Sequence, residues 1–215
     1  GADTVVPFEE TDELIRKKPT GVVDEVSVLA EFPKGEFVRP AAEDVRKGNL
    51  ILRSGTVIRP SEIGVLASLG YDSVTVNRRP LIGILATGNE LAYPGKPLGS
   101  GEIYDSNSYS VAALVKKYGR IPKILGIAKD NFEEQLHLAQ QGIHGCDVLI
   151  FSAGSSVSTR DMTAEVINAL GEPGVLVHGL SLKPGKPAIL GVVNDKPIFG
   201  LPGNPVSAMI VFDLI

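Results

Sequence analysis

The hydrophobic positions change their pattern near residue 80, and this change divides the chain into two parts. In the first part, short apolar runs are interrupted by charge, glycine and proline, which is typical of a small β-rich module. In the second part, continuous apolar runs of strand length alternate with helical patterns. Such alternation predicts a mostly parallel sheet covered by helices on both faces. The predicted fold class is α/β, with a three-layer sheet domain preceded by part of a small β-rich domain and a short connecting segment.

The predicted elements of the second part alternate along the chain. Strands are expected at Leu81–Ala86, Ile121–Ile127, Val148–Ser152, Val175–Val177, Ala188–Val193 and Pro197–Phe199. Helices are expected at Ser108–Tyr118, Glu133–Gln141, Met162–Leu170 and Val206–Ile215. Before them, a short helix is expected to begin at Pro60 and to end at Gly70, and Arg78-Arg79-Pro80 marks a boundary. We therefore predict a β-rich domain over residues 1–46, a connecting segment over 47–77 and an α/β domain over 78–215.

Composition and charge narrow the classes of function. The 215 residues carry a net charge of −4 with scattered Lys and Arg, which argues against a nucleic-acid surface. No apolar run approaches the roughly 20 residues that span a bilayer, and no signal peptide is visible. The single cysteine, Cys146, is expected in the core and fits a reducing compartment. We expect a cytoplasmic protein, and the missing initial Met and the uncapped final helix favour a fragment of a longer chain.

Polar segments follow three predicted strands, where open α/β sheets bind their ligands. The first is Thr87-Gly88-Asn89-Glu90-Leu91, and the second is Ala128-Lys129-Asp130-Asn131. The third runs from Ser152 to Asp161 and is rich in serine, which predicts an anion cradle before a helix. Capping of that helix by Thr159 or Asp161 is the alternative. In Asp105-Ser106-Asn107-Ser108, helix capping and ligand contact are both open.

Two later segments combine lysine, proline and glycine in a way that predicts an anion site. In Lys183-Pro184-Gly185-Lys186-Pro187, the prolines stiffen a loop that holds two ammonium groups close together. Gly203-Asn204-Pro205 matches an N-cap followed by proline at the first helical position. A plain turn followed by a capped helix is the alternative. Together these segments predict a site that prefers phosphate-like anions.

The carboxylates at the same edge predict a divalent cation. Glu90, Asp130 and Asp161 would repel an anion unless a cation lay between them, and oxygen ligands suit Mg²⁺. Histidine is nearly absent from this edge, so a zinc site or a histidine-based triad is not expected. The phosphate-binding fingerprints of P-loop and Rossmann proteins are also missing.

Four motifs resemble those of the molybdopterin molybdenumtransferase family, which comprises the MoeA-type proteins and the gephyrin E domain. They are Thr87-Gly88-Asn89-Glu90-Leu91, Ile103-Tyr104-Asp105-Ser106-Asn107, Lys183-Pro184-Gly185-Lys186-Pro187 and Gly200-Leu201-Pro202-Gly203-Asn204-Pro205-Val206-Ser207-Ala208. They occur in the family's order, and the resemblance covers essentially the whole chain. It implies a molybdopterin-binding α/β domain, a homodimer, and insertion of molybdate into adenylylated molybdopterin. That reaction needs a divalent cation, here expected to be Mg²⁺, and releases AMP.

The resemblance also implies roles for individual residues. Its acidic active-site positions fall on Glu90, Asp130 and Asp161, which are also the predicted metal ligands, and a further one falls on Asp44. The expected substrate-binding residues are Thr87, Gly88, Asp105, Ser106, Asn107, Ser152, Gly154, Ser155, Ser156, Lys183, Gly185, Lys186, Pro202, Gly203 and Asn204.

Two departures from the family pattern keep other functions open. The family usually has Ser/Thr-Gly-Gly-Val-Ser-Val-Gly where this chain has residues 152–158, Ser-Ala-Gly-Ser-Ser-Val-Ser, and Asn89 stands where Asp is frequent. A molybdopterin-binding or scaffolding module without catalysis is therefore the alternative function. A related adenylyltransferase is a third hypothesis, but residues 1–77 argue against it because that enzyme is a stand-alone α/β domain.

Overall fold

The computed structural model describes residues 2–12, 25–153 and 157–215, and the chain divides into two compact units, 1–74 and 75–215. In its described residues, the first unit holds a 3-10 helix, Phe8–Glu10, and helix α1, Pro60–Ser68. An isolated antiparallel bridge joins Thr11 to Val28. In the part described, the apolar runs of this unit therefore lie in irregular segments rather than in regular strands. Charged residues, glycines and prolines interrupt these runs too often for a continuous ladder of hydrogen bonds between strands. The predicted three-way division of the chain stays a prediction.

The second unit is an alternating α/β domain whose elements follow the predicted order. Its strands are β1 Leu81–Thr87, β2 Leu91–Ala92, β3 Ile103–Tyr104, β4 Ile121–Ala128, β5 Val148–Ala153, β6 Pro173–His178, β7 Ile189–Val193 and β8 Lys196–Leu201. Its helices are α2 Asn107–Lys117, α3 Phe132–Gly145, α4 Val157–Leu170 and α5 Pro205–Leu214.

Six of these strands form one sheet in the order β4-β1-β5-β8-β7-β6. The pairs β4–β1, β1–β5 and β5–β8 are parallel, and β7 pairs with both of its neighbours in antiparallel fashion. One apolar core lies between the sheet and helices α3 and α4, and a second core lies between the sheet and helices α2 and α5. This confirms the predicted three-layer, mostly parallel α/β architecture. Cys146 is buried as expected, and its burial raises the pKa of the thiol.

Two features of this unit differ from the prediction, and a third adds the direction of one strand pair. The short pair β2–β3 was not expected, because two-residue strands leave no periodic signal. Helix α4 begins at Val157 rather than Met162, so Asp161 lies within the helix instead of in the preceding loop. Strands β7 and β8 form a hairpin whose turn residues, Asn194 and Asp195, have φ of 50° and 62°. Asn and Asp tolerate that left-handed conformation, so this antiparallel edge has a local cause.

An arginine–aspartate pair anchors the start of the sheet. Both terminal guanidinium nitrogens of Arg78, Nη1 and Nη2, donate to the carboxylate of Asp147, which also accepts the backbone N–H of Leu81 at 2.8 Å. The backbone N–H of Asp147 donates to the Leu81 carbonyl, also at 2.8 Å. These bonds hold the pKa of Asp147 at about 2, below its usual value of 3.8, with the Arg78 hydrogen bonds as the largest cause.

We expect acid to remove the contribution of this pair to stability. Because folding lowers the pKa of Asp147, its stabilisation is fully present above pH 4 and is lost as the pH falls from about 4 to about 2. At pH 7, D147N should therefore have a lower Tm than the unaltered protein, and the difference should shrink toward pH 2. Thermal unfolding between pH 2 and pH 7 measures this. D195N, at the exposed β7–β8 turn, is the control, and a difference for D147N that does not depend on pH would contradict the prediction.

Candidate functional site

The sheet has a topological switch point between β1 and β5. The chain leaves β1 toward helix α2 on one face of the sheet, and leaves β5 toward helix α4 on the other face. The two strands are adjacent and parallel, and Thr87 at the end of β1 pairs with Ala153 at the end of β5. Ligands of open α/β sheets bind in the crevice that such a divergence opens beyond the carboxyl ends of the strands. The sheet itself therefore indicates where the site lies.

A cleft of about 250 Å³ lies at this switch point. The segments that line it follow β1, β5 and β8 and include the starts of α2 and α5. The lining residues are Glu90, Leu91, Ile103, Tyr104, Asp105, Ser106, Asn107, Ser152, Gly203, Asn204 and Pro205. Seven predicted site residues are thus brought together, and four cleft residues were not predicted. All four stand inside recognised motifs, and for three of them, Leu91, Ile103 and Pro205, an apolar side chain gave no sign of a lining role.

The first polar segment enters the cleft through a sharp turn at Gly88. Its φ is +155°, and a Cβ on Gly88 would lie 2.5 Å from Oε2 of Glu90. Only a glycine leaves room for the Glu90 carboxylate to approach the backbone this closely. The Glu90 carbonyl accepts the N–H of Ile103 at 2.8 Å, next to the β2–β3 pair. The turn at Gly88 therefore leaves room for the Glu90 carboxylate against the backbone at the edge of the cleft.

The segment before α2 contributes both a cap and a cross-link. Asp105 is only 3% exposed and accepts the N–H of Ser108 at 3.0 Å, so capping is one of its roles. Asn107 donates its side-chain N–H to the carbonyl of Gly203 at 2.9 Å, which ties the start of α2 to the loop before α5. Its own Oδ1 is buried, and among the described residues it has no hydrogen-bond partner. The buried Oγ1 of Thr87, at the end of β1, lacks a described partner in the same way.

Helix α5 begins with the predicted cap. Oδ1 of Asn204 accepts the backbone N–H groups of Val206 at 3.1 Å and Ser207 at 3.3 Å, and Pro205 occupies the first helical turn. Proline at this position loses no helical hydrogen bond and fixes φ near its helical value. Both cleft helices therefore begin with a side-chain cap, and both place the positive ends of their dipoles at the site.

The third polar segment is described only at its two ends. Ser152 is buried and lines the cleft. Gly154, Ser155 and Ser156 lie outside the described residues, so the predicted anion cradle stays a prediction. Asp161 is exposed in α4 and does not line the cleft.

The lysine loop is braced against helix α5 by its glycine. Gly185 is buried with φ of +119°, and a Cβ on it would lie 2.6 Å from Cγ2 of Val211. The carbonyl of Lys186 accepts the N–H of Leu180 at 2.8 Å. Lys183 and Lys186 are exposed, and neither ammonium group lines the cleft in the part of the chain that the structure describes. The structure therefore explains the rigidity of the loop, while the ligand of its lysines stays a prediction.

Asp130 lies beside the first segment and is bonded to it. The N–H of Asn89 donates to Oδ2 of Asp130 at 3.3 Å, and the N–H of Asp130 donates to Oδ1 of Asn89 at 3.1 Å. The other oxygen, Oδ1 of Asp130, is buried without a hydrogen-bond partner among the described residues. Within residues 2–12, 25–153 and 157–215, no three His, Cys, Asp or Glu side chains lie close enough together to hold a metal ion. The three predicted carboxylates thus do not form a site made of protein ligands alone.

Asp44 belongs to the first unit, where it is paired with arginine. Arg39 bonds to Asp44 and also to Glu43, the latter at 3.0 Å, and these two carboxylates raise the pKa of Arg39, with the Glu43 hydrogen bond as the largest cause. All three residues line a shallow depression within that unit. The catalytic role predicted for Asp44 stays a prediction.

Comparison with known proteins gives a consistent family. Residues 83–215 match the family described as "Probable molybdopterin binding domain", and residues 1–70 match "MoeA N-terminal region (domain I and II)". None of the described helices has the length and apolar character of a membrane span.

Similar proteins and a solved structure agree with these matches. The Haemophilus influenzae "Molybdopterin molybdenumtransferase" is 37% identical over 95% of this chain and 50% of its own length. The "Molybdopterin molybdenumtransferase 2" of Mycobacterium tuberculosis is 33% identical over 100% of this chain and 52% of its own length. A crystal structure of the molybdopterin biosynthesis MoeA protein of Pyrococcus horikoshii superposes with a TM-score of 0.71 at 33% identity, covering 99% of this chain and 50% of that one. The chain spans about half the length of the curated relatives that it matches, and it belongs to the MoeA-type molybdopterin molybdenumtransferase family.

Proposed function

We propose that this protein acts in molybdenum cofactor biosynthesis, where it inserts molybdate into adenylylated molybdopterin and releases AMP. One observation carries the proposal: the cleft at the switch point lies inside the segment that matches the molybdopterin-binding family. Molybdopterin carries a phosphate, and its adenylylated form carries a diphosphate. The starts of α2 and α5 both contribute to the lining of the cleft, and the positive ends of their dipoles favour an anion there.

Two buried polar atoms support a polar ligand, one in the cleft lining and one at the end of β1. Oδ1 of Asn107 and Oγ1 of Thr87 are buried, and the described residues offer neither of them a partner. Leaving such an atom unsatisfied costs about 1–3 kcal/mol, which a ligand with matching polar groups would recover. We propose that Asn107 accepts a hydrogen bond from the ligand and that Thr87 donates one to it. Ser152, Gly203 and Asn204 complete the binding surface.

We propose that Mg²⁺ is the divalent cation of the reaction. Mg²⁺ is usually bound by one or two carboxylates together with substrate phosphates rather than by a cage of protein ligands. The chain fits this mode, because Asp130 keeps one buried oxygen without a described partner and Glu90 lines the cleft. Glu90 and Asp130 would hold the cation, with Asp161 as the third predicted ligand. When bound, the cation would neutralise the charge of the phosphate groups.

Further parts of the proposal rest on the family relation. Lys183 and Lys186 would attract the anionic substrate, and Gly154, Ser155 and Ser156 would contact it. Asp44 would act as a further catalytic acid. We also propose that the protein is a cytoplasmic homodimer, and a monomeric profile in sedimentation velocity would contradict the dimer.

Titration with molybdopterin tests the proposed site. Because a hydrogen bond to a charged group contributes about 1.5–3 kcal/mol, we expect the double variant K183A/K186A to bind molybdopterin about a hundredfold more weakly than the unaltered protein. The matched control is K116A/K117A, which removes two exposed lysines at the end of α2, outside the cleft lining. Isothermal titration with and without Mg²⁺ measures the affinities. An equal loss in both double variants would show a general effect of charge, and unchanged binding in K183A/K186A would overturn the role of the loop.

A non-catalytic molybdopterin-binding module remains the second candidate, and one observation favours it. Ala153 and Ser158 stand where the usual family pattern has glycine, and both restrict the backbone. The two candidates differ in their need for Glu90. If the protein only binds molybdopterin, E90A should still bind it, and there is no turnover for the substitution to change. If it is an enzyme, E90A should abolish molybdate insertion while the binding of molybdopterin persists.

A further inference from the structure

Asp130 is held at its backbone and at its side chain by different groups. Its backbone lies in a turn that α3 supports: Gln135 is fully buried and donates Nε2 to the carbonyl of Lys129 at 3.1 Å, and Glu134 accepts the N–H of Lys129 at 3.2 Å. In the part of the chain that the structure describes, the hydrogen bonds of the Asp130 side chain come only from Asn89. The orientation of the carboxylate therefore depends on a residue of the neighbouring strand exit.

The contact between the two residues is reciprocal. Each side chain accepts the backbone N–H of the other residue, at 3.1 Å and 3.3 Å, and Nζ of Lys129 donates to the carbonyl of Asn89 at 3.3 Å. These three hydrogen bonds join Asn89 to Lys129 and Asp130, next to the bond from the Gly88 N–H to the Ala128 carbonyl at 3.0 Å. One oxygen of Asp130 is committed to this contact, and the other has no described partner.

We propose that Asn89 is a positioning residue: its side-chain oxygen holds the Asp130 backbone where the Asn89 N–H can engage one carboxylate oxygen, and the other carboxylate oxygen stays free for the ligand. This inference rests on the proposed function, in which Asp130 is an active-site acid. It also gives Asn89 a role other than that of a metal ligand. An amide oxygen accepts the Asp130 N–H without adding a negative charge beside the committed oxygen. An aspartate at position 89 would keep the same acceptor and add that charge.

Three variants distinguish a positioning role of Asn89 from a general effect on the stability of the protein. N89A removes the acceptor, N89D keeps it, and Q140A removes an exposed amide from α3 as the matched control. Amide hydrogen exchange at Asp130, followed by NMR, measures the contact between the Asn89 side chain and the Asp130 N–H without any ligand. Titration with Mn²⁺, followed by electron paramagnetic resonance in the presence of molybdopterin, reports the free carboxylate oxygen.

We expect N89A to lose about tenfold in protection of the Asp130 amide and about tenfold in Mn²⁺ affinity, as for the loss of one hydrogen bond. N89D should retain the protection and bind Mn²⁺ at least as tightly as the unaltered protein, because the acceptor remains and negative charge is added. Q140A should change neither quantity. Protection that survives in N89A would overturn the proposal, and so would lost protection with unchanged Mn²⁺ affinity.

The same experiment distinguishes this inference from the proposed function. If the unaltered protein binds no Mn²⁺ in the presence of molybdopterin, the proposed cation role of Asp130 fails. The exchange data then test the contact between Asn89 and Asp130 by themselves. Protection of the Asp130 amide that is lost in N89A and kept in N89D supports the contact, and any other pattern overturns it.

Discussion

Replacing Phe151 by alanine is expected to lower the free energy of unfolding of the second unit by about 3–5 kcal/mol. Phe151 lies in β5, is fully buried, and belongs to the core that α3 and α4 cover. In the sheet it stands between Leu85 of β1 and Gly200 of β8. Removing the ring would leave a cavity among three parallel strands, whose hydrogen-bonded backbones limit how far the site can collapse. Urea unfolding followed by circular dichroism measures the loss.

The expected loss is specific to the buried ring. L176A truncates an apolar side chain that is 59% exposed in β6, and it should change stability by less than about 0.5 kcal/mol. F151L keeps most of the volume and should cost less than about 1.5 kcal/mol. Equal losses in F151A and L176A would contradict the described core. Since Ser152 follows Phe151 and lines the cleft, F151A should also weaken molybdopterin binding, whereas L176A should not.

The sequence predicted most of the second unit because its elements are long and strongly periodic. Strands such as β1 and β5 are buried on both faces, so their apolar runs are continuous and their type is unambiguous. Helices α2 and α5 carried start signals, and the cap of α5 at Asn204 is confirmed. The start of α4 was placed too late, because a run of serine and threonine favours loops and caps over helix interiors.

The first unit and the cleft were harder to derive from the sequence. In the described residues of the first unit, the backbone hydrogen bonds between segments form no ladder longer than a single bridge, and such bonds impose no repeating pattern on the side chains. In the cleft, the strand exits predicted which segments meet but not how they contact one another. The reciprocal bonds between Asn89 and Asp130 join residues 41 positions apart, and the spacing of residues along the chain contains no sign of them.

The second large effect is expected at Gly185, between the two lysines. An alanine at this position must adopt φ of +119°, and its Cβ would lie 2.6 Å from Cγ2 of Val211 and 2.9 Å from Cδ2 of Leu182. The unfavourable backbone conformation costs about 1–3 kcal/mol, and the two contacts must be relieved by moving the loop. We therefore expect G185A to destabilise the protein and to displace Lys183 and Lys186 from their shared position. Molybdopterin affinity should fall at least about tenfold, as measured by isothermal titration on folded protein.

Gly179, a second glycine between β6 and β7, distinguishes the cost of the backbone conformation from the cost of the close side-chain contacts. Gly179 also has a left-handed φ, +97°, but a Cβ on it would meet only the carbonyl oxygen of Lys186 at an ordinary 3.5 Å. G179A should therefore show the conformational cost alone and keep most of its affinity for molybdopterin. In V211A the methyl group that blocks G185A is absent, so G185A/V211A should recover part of the affinity although the backbone strain remains. Equal affinities in G185A and G179A would show that the packing of Gly185 on α5 does not position the lysines. An affinity in G185A/V211A no higher than in G185A would show that the contact with Val211 is not what displaces them.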